Sequence, residues 1–161
     1  MIRKQCIEVA KSLGGEVEIE DDLLEEITYL VEYPTAFYGE FNADYVKLPK
    51  EVVTTPMKEH QRYFPVSKYG KLLPYFIAVR NGNDYRIDKV KAGNEKVLEA
   101  RLADALFFYD EDIKKPLESF VENLKTVVFQ AKLGTVYDKT LRIEKLAQDI
   151  VETLDEKEIL N

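Results

Sequence analysis

The chain has 161 residues, 45% of them hydrophobic and 33% charged, with a formal net charge of -7. That size and balance exclude a disordered chain and describe one soluble globular domain. A single cysteine, Cys6, and a single histidine, His60, exclude an intrachain disulfide framework, a cysteine-based zinc site and most multi-histidine metal sites.

The spacing of Ile7, Val9 and Ala10 predicts a helix from Arg3 to Leu13, stopped by Gly14-Gly15. Asp22 is placed to cap a second helix, with Glu25 as the reciprocal acid. That helix carries the stripe Leu23, Leu24, Ile27, Leu30 and Val31 and ends at Pro34. Thr35 to Phe41 is short, aromatic and strand-like. Leu48-Pro49 opens a brief helix through Val53, and Thr55-Pro56 starts another. Arg62 to Val66 and Leu72 to Val79 read as a hairpin with a five-residue connection containing Gly70. Pro65 and Pro74 each lack an N–H, so each belongs at an edge, an end or a bulge.

Asn94 is expected to cap a helix running to about Phe108. Between Ala100 and Phe108 only Arg101 and Asp104 are polar, so this helix is expected to be buried on more than one side. Arg101 and Asp104 are then expected to form a buried ion pair, because a lone buried charge is costly. The alternative is that Arg101 faces RNA or a partner subunit. A helix from Leu117 to about Leu124 follows. The last helix starts near Thr135 with Asp138 as capping-box partner, and its stripe is Ile143, Leu146, Ala147, Ile150, Val151 and Leu154. The expected fold class is α+β: a small antiparallel sheet with packed helices and a helical C-terminal part. Residues 1–161 read as one module, with helices and the sheet in 1–92 and mainly helix in 93–161. No apolar run approaches the roughly 20 residues that span a bilayer. Glu8 and Lys11 interrupt the N-terminus where a signal peptide would be apolar. A cytoplasmic location is expected.

The charge is unevenly spread. Residues 1–60 hold six Lys/Arg against thirteen Asp/Glu, residues 61–109 nine against five, and residues 110–161 eight against twelve. A basic middle in an acidic chain leaves room for one local phosphate-facing patch. No phosphate-binding glycine loop, nucleophile elbow or histidine pair accompanies it. Lys58, His60, Arg62 and Tyr63 can present donors to a phosphate or ribose, and Tyr63 or Phe64 can stack on a base. The same His60 and Gln61 can instead satisfy backbone groups at a tight helix-to-strand turn. With Lys71, Arg80 and Lys96, the cations Lys58 and Arg62 would make one face if the hairpin and the following helix meet.

Five stretches carry a resemblance: LVEYP at 30–34, TTPMKEHQRYFPV at 54–66, KLLPYFIAVRNG at 71–82, GNEKVLEARLADALFFYDED at 93–112 and KTVVFQAKLGTVYDK at 125–139. Together they resemble the beta subunit of bacterial tetrameric glycyl-tRNA synthetase, over most of residues 22–150. Beta subunits of that family are several times longer, so the resemblance implies an internal piece that stops before the HD-like and anticodon-binding regions. It implies partners in the rest of the beta subunit, the alpha subunit and glycine tRNA, and no membrane. It also implies that the alpha subunit makes glycyl-adenylate with ATP and magnesium, while the beta subunit supports tRNA recognition and glycyl transfer. No catalytic residue, metal or cofactor is then expected here, and the chain alone is expected not to activate glycine. The portion is similar to the α+β editing-type module of the phenylalanyl-tRNA synthetase beta chain. Two rival roles are a hydrolytic editing pocket using His60 as base and a pure packing module at a subunit interface.

Overall fold

The computed structural model of the chain describes residues 1–154. They form two compact units, Met1–Glu111 and the described residues from Asp112 onward.

The first unit is built on a four-stranded antiparallel sheet in the order β1-β3-β4-β2. Its elements are α1 (Ile2–Ser12), β1 (Glu16–Val17), α2 (Asp21–Leu30), β2 (Pro34–Glu40), α3 (Lys50–Thr55), β3 (Phe64–Lys68), β4 (Lys71–Asn81) and α4 (Ile87–Asp112). A 3-10 turn at Ala43–Lys47 precedes α3, and a π turn at Pro56–His60 follows it directly.

The alternation of β4 divides the core. Phe76 and Ala78 point to one face, where they pack with Phe37, Met57, Tyr63, Leu98 and Leu102. Ile77 points to the other, with Cys6, Ala10, Leu23, Ile27 and Val66. Helices therefore cover both faces: α1 and α2 on one, α3 and α4 on the other. The expected boundary at 92/93 falls inside α4, whose Leu98 and Leu102 belong to the sheet's own core. The helix stays with the first unit for that reason.

The hairpin is tighter than the expected five-residue connection. Lys68 pairs with Lys71, so only Tyr69 and Gly70 connect the strands. Both have positive φ, 52° and 77°, which is the two-residue type I′ geometry. Both prolines sit at an irregularity, as expected: the register shifts between Pro65 and Ser67, and Pro74 lies in the matching stretch of β4.

Two helix starts differ from expectation. Helix α2 begins at Asp21, with Glu20 at the cap position and no side-chain cap bond. Asp22 lies in the first turn, so the Asp22–Glu25 box does not form. There its carboxylate still faces the positive end of the helix dipole. Helix α4 begins seven residues before Asn94. Asn94 is interior and donates from Nδ2 to the Val90 carbonyl at 2.7 Å.

The expectation that α4 is buried on several sides is not met. Only Leu98 and Leu102 are buried, while Phe107 and Phe108 are exposed. Arg101 and Asp104 are both exposed, and among the described residues no ion pair joins them. The cause is geometric. One stripe at i, i+4 spacing touches the sheet, and residues off that stripe face water.

In the second unit a 3-10 helix (Leu117–Thr126) leads into the small hairpin of β5 (Val128–Gln130) and β6 (Gly134–Thr135), then α5 (Val136–Thr153). The expected capping box forms: the Thr135 hydroxyl accepts from the Asp138 N–H, and Asp138 accepts from the Thr135 N–H at 2.7 Å. Those bonds hold the Asp138 carboxyl below its ordinary range. No described residue of this unit is fully buried, and Leu141, Ile143, Leu146, Ile150 and Val151 of α5 are exposed. Among the described residues no helix is long and apolar enough to cross a membrane.

Candidate nucleic-acid interface

The basic middle of the chain does not form one face. Lys71 lies at the hairpin tip and Arg80 near the other end of β4. At ~3.3 Å per residue they are separated by up to about 30 Å of strand. Lys96 lies on α4 in a groove it shares with Glu40, Lys91, Glu95 and Glu99. Lys58 pairs with Glu20. It also adds its charge to the field at Glu18. Burial pushes that carboxyl up, but hydrogen bonds from Lys50 and Ser67 and the charges of Lys50 and Lys58 bring it below its usual range.

The structure does bring His60, Arg62, Tyr63 and Arg80 together, around a cleft of about 320 Å³. The reason lies in the strand lengths. The last β3–β4 partners are Phe64 and Ile77, whereas β4 continues beside β2 to Asn81. Over residues 78–81 the edge of β4 away from β2 has no strand against it. The connection before β3 supplies His60, Gln61, Arg62 and Tyr63 to this space, α2 supplies Ile27 and Leu30, and α4 supplies Val90 and Asn94.

Each polar group at the cleft is held by a specific contact. Tyr63 is 4% exposed, its ring stacks on Phe76, and its hydroxyl donates to Asn94 Oδ1. Burial pushes its phenol up to about 12, so it stays protonated as a donor. Arg62 has φ 57°, the left-handed conformation that glycine usually supplies after a helix. Its N–H donates to the Lys58 carbonyl at 3.2 Å, and the next N–H, of Tyr63, donates to Met57 at 2.9 Å. These bonds close the end of the π turn and direct the Arg62 side chain outward. Its Nε donates to Glu26, and neither Nη has a partner among the described residues. Arg80 donates from Nη1 to the Tyr85 carbonyl at 2.8 Å. His60 is exposed on the rim, and no side-chain bond ties it to the backbone among the described residues.

The lining includes two guanidiniums and an imidazole, and no carboxylate. The neighbouring groove at Lys58 holds Glu20, Asp22, Glu26 and Glu59. Sequence reasoning missed Asn94 as the partner of Tyr63, and missed Phe37, Ala78 and Val90 as the apolar wall. The alternation in β2 and β4 is the signal that could have found Phe37 and Ala78. Among the described residues no group of three or more His, Cys, Asp or Glu is placed to hold a metal ion.

The class is an α+β module with a small basic cleft. The chain belongs to the glycyl-tRNA synthetase beta subunit family, whose model matches residues 1–160. It is 79% identical over 160 residues to the glycine–tRNA ligase beta subunit of Clostridioides difficile (strain 630), covering 98% of the chain and 23% of the relative. The corresponding beta subunit of Desulfitobacterium hafniense (strain DSM 10664 / DCB-2) is 57% identical over 152 residues, covering 94% and 22%. That of Listeria monocytogenes serotype 4a (strain HCC23) is 50% identical over 162 residues, covering 97% and 24%. The chain thus spans less than a quarter of the length of these relatives.

Proposed function

We propose that the chain acts within a glycine–tRNA ligase as part of its beta subunit, supporting tRNA recognition and glycyl transfer. On this reading its partners are the remaining beta-subunit polypeptide, an alpha subunit that performs aminoacylation, and glycine tRNA in the cytoplasm. ATP and its magnesium ion are handled by the alpha subunit, and this region needs no cofactor. The observation that carries the reading is a carboxylate-free cleft with two arginines, in a chain whose family is that of the beta subunits. Arginine forks suit phosphate oxygens, and such contacts position RNA without reading its sequence. Holding a non-glycine residue, Arg62, in a left-handed conformation is the kind of local strain that collects at functional sites.

The test uses the assembled two-subunit enzyme. Reversing Arg62 and Arg80 to Glu is expected to raise the KM for tRNA several-fold and leave glycine-dependent ATP–pyrophosphate exchange unchanged. Unchanged tRNA kinetics in a folded double variant would leave a packing role. A second reading, hydrolysis of mischarged tRNA, draws on His60 at the cleft rim as a neutral-pH base. His60→Ala would then abolish deacylation of mischarged tRNA by the same enzyme.

A further inference from the structure

The cleft is a recess rather than a flat basic surface, and that separates two ways of meeting RNA. The phosphates of a duplex lie on a convex surface, and its bases are stacked out of reach. An unpaired nucleotide can place its base inside a recess and its phosphate at the mouth. At about 320 Å³ the cleft is at the small end of ligand pockets, matched to one nucleotide. Phe37, Ala78 and Val90 offer an apolar wall, and the Gln61 side chain adds a polar group to the lining.

Exposed aromatic rings stand at the end of the sheet, on residues bonded to Arg80 and its neighbours. Tyr33 and Tyr85 are each 64% exposed. Both are fixed at the end of the sheet beside Arg80. The Gly82 N–H donates to the Tyr33 carbonyl at 2.7 Å, and the Tyr33 N–H donates to Asn81 Oδ1 at 3.0 Å. The Tyr85 carbonyl accepts from Arg80 itself. Exposed aromatic platforms beside arginines are the usual means of holding single-stranded nucleic acid, because every base has a face to stack.

We propose that this cleft receives one unpaired nucleotide of an RNA strand, its phosphate held by Arg62 and Arg80 and its base against Phe37, Ala78 and Val90. A neighbouring base stacks on Tyr33, or on the face of Tyr85 opposite the Arg86 guanidinium, whose Cζ lies 5.1 Å from that ring's centroid. The proposal rests on the tRNA reading above and narrows it to an unpaired segment. The shared chemistry is a nucleoside phosphate, which a free nucleotide also offers.

The test measures fluorescence anisotropy of the full chain with three ligands: a labelled six-nucleotide single-stranded RNA, the same sequence locked in a hairpin duplex, and AMP as competitor. The expected result is at least tenfold tighter binding of the single strand than of the duplex. Arg80→Gln and Tyr85→Ala should each weaken the single strand about five-fold or more, the latter at the lower end for one stacked base. Log affinity should fall with log salt at a slope of about -0.7, from the one phosphate that Arg62 and Arg80 share. Circular dichroism melts check that both variants are folded, and Tyr33→Ala tests the second ring independently. Equal affinity for strand and duplex, or no response to either tyrosine variant, would overturn the proposal. The tRNA reading would then still stand if Arg62 and Arg80 control the KM. AMP binding as tightly as the strand would assign the cleft to a free nucleotide and overturn the RNA assignment. No binding of the single strand would overturn it as well.

Discussion

The Tyr63 ring lies on that of Phe76, with centroids 4.4 Å apart and planes 17° from parallel. On the neighbouring strand Gly39 pairs directly with Phe76 in register. A Cβ built on Gly39 would sit 2.2 Å from Phe76 Cζ, so the ring covers the space a side chain would need. Glycine on the edge strand, an aromatic ring over it and a second ring on top form one stack that links β2 to the cleft. Gly39→Ala is therefore expected to destabilise the fold by about 1–3 kcal/mol through overpacking. A urea melt checks this, and an unchanged midpoint would show that Phe76 can move aside.

The polar end of the same stack gives a pH signature. Burial raises Tyr63 to about 12, against an ordinary phenol near 10. The unfolded chain therefore loses this proton first. Stability from this group is complete below pH ~10 and falls as pH rises from there through the folded value. Tyr63→Phe is expected to flatten that alkaline loss. At neutral pH it is expected to cost about 1 kcal/mol for the hydrogen bond to Asn94. Melts at neutral and alkaline pH on both forms measure the difference.

The elements were largely legible in the sequence, and the cleft was not. Periodicity located α1, β2, both hairpin strands and the stripe of α5, because each depends on near neighbours. The Thr135–Asp138 capping box was readable for the same reason. The two-residue turn was hidden because Tyr69 occupies a left-handed position with no turn signature of its own. Asn94 resembled a helix cap, and only the tertiary bond to Tyr63 explains it within α4. The cleft arises from unequal strand lengths, which a linear pattern of charge does not encode. A linear pattern of charge therefore puts Lys71 and Lys96 with Arg62 and Arg80, although the strand and helix hold them apart.

Arg62 offers a way to separate structure from function. Its left-handed backbone costs a non-glycine residue roughly 1–2 kcal/mol, and its exposed pair with Glu26 returns roughly 0–1 kcal/mol. Arg62→Gly should thus leave stability unchanged or slightly raised. In the assembled enzyme it should still raise the KM for tRNA. A marked loss of stability with normal tRNA kinetics would show that Arg62 serves the fold alone.

Arg101 gives the opposite contrast. As one member of a buried pair it would have carried a large cost on removal. Exposed, and without an ion pair to Asp104, Arg101→Ala is expected to change stability by no more than about 0.5 kcal/mol. A denaturant melt of the full chain measures this. A loss of several kcal/mol would mean that Arg101 is buried after all.

On the function proposed above, the cleft between α2, β4 and α4 faces tRNA. A structure of the intact two-subunit synthetase with glycine tRNA bound tests it most directly. RNA is expected within hydrogen-bonding distance of Arg62 and Arg80, with an unpaired base inside the cleft. A cleft filled by another polypeptide segment, with the RNA held elsewhere, would contradict it.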